Sequence, residues 1–94
     1  MDLKEIFEKY EDEYLKFERI VSPLSKRPDL CAFLFLDRLV PGTSDIISAS
    51  EHDEFFLDID CNKLSENATE QDIINLIRCG ILYDSGNECL AMFS

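Results

Sequence analysis

The single histidine, His52, stands in the run Glu51, His52, Asp53, Glu54. An imidazole among carboxylates is the starting material of a general base or a metal site. Neither is completed here: there is no second histidine, no H-x-x-x-H spacing, and no serine or cysteine set by sequence to be activated. The run reads as a solvated turn. Asp58, Asp60 and Asn62 are spaced like the first ligands of a calcium loop, in which alternate oxygens converge on one cation. Lys63 stands where that loop needs glycine, and Thr69 where it needs a bidentate glutamate. Cys31, Cys61, Cys79 and Cys89 contain no C-x-x-C pair and read as free thiols in a reducing setting. With three glycines in the chain and no G-x-G-x-x-G or G-x-S-x-G motif, a backbone cradle for phosphates is not expected. The expectation is a non-enzymatic protein with no catalytic residue, no cofactor and no metal.

Charge is the loudest remaining signal. Twenty Asp and Glu oppose nine Lys and Arg, for a net charge of −11. Residues 1–28 hold seven acids and six bases, whereas residues 29–94 hold thirteen acids and three bases. Phosphates are gripped by clustered Lys and Arg, so direct nucleic-acid binding is disfavoured. Between Arg38 and Lys63, Asp45, Glu51, Asp53, Glu54, Asp58 and Asp60 are uninterrupted by any base. Together with Glu66, Glu70 and Asp72 they form the expected partner-binding surface, suited to a protein with a basic face or to imitation of a nucleic-acid backbone. The plainer alternative is a solvated face that keeps a small protein soluble.

The elements that must carry these residues follow from hydrophobic spacing. Ninety-four residues, 46% apolar and 31% charged, predict one small folded domain over residues 1–94. Leu3, Phe7, Tyr10, Tyr14, Phe17 and Val21 line one seam of an amphipathic N-terminal helix. The pairs Glu5–Lys9 and Asp12–Lys16 sit at the favourable i,i+4 spacing along it. That seam either packs on the rest of its own domain or, through Phe7, Tyr10, Tyr14 and Phe17, forms a homo-oligomer interface. After Pro23 and Pro28, the run Leu30–Leu36, continued by Leu39 and Val40, predicts a buried second helix stopped by Pro41 and Gly42. Ile46–Ala49 predicts a short strand, and Phe55, Leu57 and Ile59 a half-buried one. Thr69 and Asp72 mark the capping box of a further helix that ends at Gly80. The chain closes in a β-hairpin in which Tyr83 facing Glu88 leaves apolar residues on both faces of a small antiparallel sheet. The fold class is therefore α+β. No run of about eighteen apolar residues occurs, and the start, Asp2, Lys4 and Glu5, lacks the pattern of a signal peptide, so neither a membrane span nor secretion is expected.

Leu39, Val40, Pro41, Gly42 and Thr43, then Glu51, His52, Asp53 and Glu54, then Ile77, Arg78, Cys79, Gly80 and Ile81 through Leu90, Ala91, Met92 and Phe93, resemble small uncharacterised acidic proteins of phages, prophages and other bacterial mobile elements. The resemblance spans about residues 30–94, carries no known active site and transfers no residue roles. It implies the cytoplasm of a bacterial host cell, where small acidic proteins often inhibit host defence enzymes. The functional expectation is a macromolecule-binding protein, a phage-type inhibitor of a host nucleic-acid-handling defence complex acting through its acidic surface. The alternative is a homo-oligomeric structural or assembly module that uses the N-terminal seam and a spare apolar sheet face.

Overall fold

The computed structural model describes residues 2–20, 23–42, 47–51, 54–84, 86 and 89–93. Along the chain run α1 (Leu3–Lys9), two single 3-10 turns (Glu11–Glu13 and Phe17–Arg19), α2 (Pro28–Leu39), β1 (Ile47–Glu51), β2 (Glu54–Leu57), α3 (Cys61–Asn67), α4 (Glu70–Arg78), β3 (Ile81–Asp84) and β4 (Cys89–Phe93). The fold is α+β, with the strands all antiparallel in the order β1-β2-β4-β3. Strand alternation sends Leu57, Ile81, Leu90 and Met92 to one face, where they join Leu36, Leu64, Ile73 and Leu76 from the helices in a continuous core. Side chains buried as completely as Leu57, Ile81 and Leu90 contribute about 1.5–3 kcal/mol each.

The N-terminal seam does not run as one helix. The Asp2 carboxylate caps α1 by accepting from the Glu5 N–H, yet the helix stops at Lys9. A helix from Leu3 to Val21 would be about 28 Å long, close to the whole 29 Å extent of the molecule. The strands beneath have only four or five residues, so such a helix would overrun the surface it must cover. Three successive carboxylates, Glu11, Asp12 and Glu13, also favour ending it, because acids oppose the negative end of the helix dipole. The chain instead folds back over α4: the Leu15 N–H donates to the Ile77 carbonyl at 3.3 Å, and Leu15 takes a left-handed φ of 63° to do so. Asp12 and Lys16 consequently share no helix, and Val21 lies outside the described residues.

α2 forms where expected, opened by Pro28 in its first turn. Its burial is one-sided. Cys31, Ala32 and Leu36 face the core, whereas Leu30 and Leu34 remain exposed. The helix unanticipated in the sequence is α3, whose N–H groups at Asn62 and Lys63 both donate to the Asp60 carboxylate. The Asp58, Asp60, Asn62 spacing thus has a capping explanation. α4 carries the full reciprocal box: Thr69 Oγ1 accepts from the Asp72 N–H at 3.2 Å, and Asp72 Oδ2 accepts from the Thr69 N–H at 2.9 Å. Gly80 follows with φ of 101°, and a Cβ there would meet Leu15 Cδ2 at 3.0 Å.

In the C-terminal hairpin Tyr83 pairs with Leu90, Leu82 with Ala91 and Ile81 with Met92, a slide of two residues from the expected register. A two-residue slide keeps every side chain on its face. It sets Ile81 against Met92 in the core, and the Asp84 carboxylate accepts from the Gly86 N–H at 3.0 Å as the chain leaves β3. The expected strand at Ile46–Ala49 appears as β1, one or two residues later; Ile46 itself is outside the described residues, as are His52, Asn87 and Glu88.

Candidate functional site

The nine carboxylates expected to form one binding surface divide by role. Asp60 caps α3 and Asp72 closes the capping box of α4, so both act as backbone acceptors. Glu70 accepts from the Tyr10 hydroxyl and lies 3.5 Å from Lys9 Nζ. The hydroxyl, and then the ammonium, hold the Glu70 carboxyl below its ordinary value, while the same hydrogen bond raises the Tyr10 phenol. Asp45 and Asp53 lie outside the described residues. That leaves Glu51, Glu54, Asp58 and Glu66.

Two of these four are brought together. Glu51 and Glu54 are cross-strand partners where β1 meets β2, flanking the positions of His52 and Asp53. On its other side Glu54 pairs with Phe93 of β4, which is 53% exposed. One end of the sheet therefore sets Glu54 beside an exposed aromatic ring. Asp58, just after β2, and Glu66, on α3, are also exposed, and none of Glu54, Asp58 and Glu66 has a cationic partner among the described residues. Continuing inward on the same sheet face, Phe56, Ala91 and Leu82 form a row across three strands, with Ala91 buried between its larger neighbours.

The residues named for an oligomer interface pack wholly or in part against their own core. Phe7 is buried, with its ring centroid 6.0 Å from that of Tyr83, and Tyr10, Tyr14 and Phe17 pack against the core. Burial raises the Tyr14 phenol. The break after Lys9 wraps the seam around α4, so these side chains pack on their own fold.

The wrapped segment is clamped by charge. Arg78 Nε donates to Glu13 Oε2 at 3.0 Å, Arg19 NH1 donates to Glu13 Oε1 at 2.8 Å, and Arg78 NH1 also reaches the Arg19 carbonyl at 3.3 Å. The Arg78 hydrogen bond, followed by the attraction of Arg19, holds the Glu13 carboxyl below its usual range. Cys31 and Cys79 are buried; burial, together with the neighbouring Cys31 sulfur, pushes the Cys79 thiol far up, so it behaves as a small core residue.

Sequence reasoning missed a groove of about 600 Å³ between α1, the first 3-10 turn and β3. Its walls come from residues 4–14 and 77–83, which no local pattern joins. The one available signal was the acidic run Glu11, Asp12, Glu13, which the near-neutral balance of the N-terminal third concealed. Among the described residues no cluster of three or more His, Cys, Asp or Glu is placed to hold a metal ion, and no helix is long and apolar enough to cross a membrane. Compared with protein-family profiles, with curated proteins and with solved structures, the chain matches none.

Proposed function

We propose that this chain is a non-enzymatic binding protein that docks on a basic protein surface through the end of its sheet where Glu51, Glu54 and Phe93 meet. The observation that carries the reading is the juxtaposition of Phe93, 53% exposed, with Glu54 across the β2–β4 pair. An aromatic ring offers contact area at little entropic cost, and carboxylates beside it choose a cationic partner and speed encounter. Asp58 and Glu66 extend the negative field. The resemblance to proteins of phages and other mobile elements makes a host nucleic-acid-handling defence complex the class of target, because such complexes carry basic surfaces.

The test is affinity capture from nuclease-treated bacterial lysate with the tagged chain and its E51K/E54K variant, eluted with rising salt. A basic protein retained by the chain, released by salt and at least about tenfold depleted with the variant supports the reading; each tenfold step corresponds to about 1.4 kcal/mol. Equal retention by both overturns it. The variant leaves Asp60 and Asp72 alone, because altering those would unsettle α3 and α4.

A second reading is self-association through the outer sheet face, favoured by the row Phe56, Ala91, Leu82 leading to exposed Phe93. Under that reading, Phe93→Ser lowers the particle mass by light scattering at equal concentration, and an unchanged mass excludes Phe93 as the contact.

A further inference from the structure

β3 stands at one edge of the sheet: among the described residues it pairs with β4 and with no other strand. An edge leaves alternate backbone N–H and C=O groups pointing away from the sheet, a template for another extended chain unless it is covered or charged. Beside β3 the fold places the groove of about 600 Å³. Phe7, Tyr14, Ile77, Ile81, Leu82 and Tyr83 supply apolar lining, and Glu8, Glu11 and Asp12 supply the acids, against one base, Lys4. Those three carboxylates are exposed and make no ion pair among the described residues.

Three properties select the occupant. A strand edge calls for extended backbone, apolar walls call for apolar side chains at every second position, and the acids call for lysine or arginine between them. We infer that this groove binds an extended segment of a partner protein in which apolar and basic residues alternate, added alongside β3 as a fifth strand. Nucleic acid is repelled by the carboxylates. A second copy pairing β3 to β3 would bring two sets of these acids together, and β3 itself, Ile81 to Asp84, carries no base. A small apolar ligand would use neither the edge nor the acids. The site is independent of the Glu51–Glu54 end, since β1 lies at the opposite edge of the sheet.

The experiment uses the full chain and a fluorescein-labelled synthetic peptide alternating valine and lysine over about six residues, the length of an ordinary strand. Anisotropy gives affinity at low salt, and amide chemical shifts give location. The proposal expects shifts centred on Leu82 to Asp84. It also expects at least about a tenfold loss when the amides on one edge of the peptide are N-methylated, since each methyl removes a backbone hydrogen bond. The variant E8Q/E11Q/D12N, checked for an unchanged circular dichroism spectrum, should bind about tenfold more weakly. Equal affinity for the N-methylated peptide overturns strand addition. Shifts confined to Glu51 and Glu54 overturn the groove while leaving the proposed function standing, and no binding at low salt overturns the groove outright.

Discussion

Glu13 accepts from two arginines that arrive from different places, Arg19 from the same wrapped segment and Arg78 from the end of α4, so one carboxylate ties residues 11–19 to the helix beneath. Because its folded value lies below its unfolded value, the stabilisation is complete above the ordinary carboxylate range, about pH 4.3, and is lost as pH falls through the lowered folded value. Glu13→Gln should therefore lower the urea midpoint at pH 7, and the gap from the unaltered chain should narrow toward pH 3. A gap independent of pH would mean that the packing of the segment matters and the charge does not. Glu70 makes a parallel point: its Tyr10 and Lys9 partners engage it within the fold, which removes it from the set available to a partner.

At the level of elements, the capping box of α4 is the feature most directly tied to a short stretch of sequence. Thr69→Ala should destabilise the protein by about 1 kcal/mol, and Thr69→Ser should restore most of the loss, measured by urea titration. This box was legible in the sequence because both of its residues and the buried Ile73, Leu76 and Ile77 lie within nine positions of each other. The C-terminal hairpin was legible up to its register, which alternation alone cannot set, since a slide of two leaves each face unchanged. The N-terminal seam departs from its sequence pattern for the opposite reason. Its heptad-like spacing is local, but what breaks it are partners more than sixty residues away, Ile77 and Arg78. α3 is not legible locally because Asp60 and Asn62 suit a metal loop and a helix start alike. For the candidate site, residue type announced the acids and strand pairing placed Glu54: nothing local says that it neighbours Phe93.

The chain carries a net charge of −11, and the described fold measures 29 × 26 × 25 Å. At about 0.01 M salt the Debye length, about 30 Å, matches those dimensions, so carboxylates repel across the full width; at about 0.15 M it is about 8 Å. The thermal midpoint should accordingly rise between those two concentrations of sodium chloride, and a fall would show that attractive pairs such as Glu13 with Arg78 outweigh the repulsion. The sheet order has a consequence for synthesis. β4 lies between β2 and β3 although it follows both in the chain. While the chain grows on a ribosome, β1 and β2 can pair early, but β2 and β3 each wait with an open side until residues 89–93 have emerged. Those few residues convert two separate pieces into one sheet, so a chain stalled or cleaved before Cys89 leaves both open sides exposed at once, and such species should aggregate and be degraded faster than the full chain.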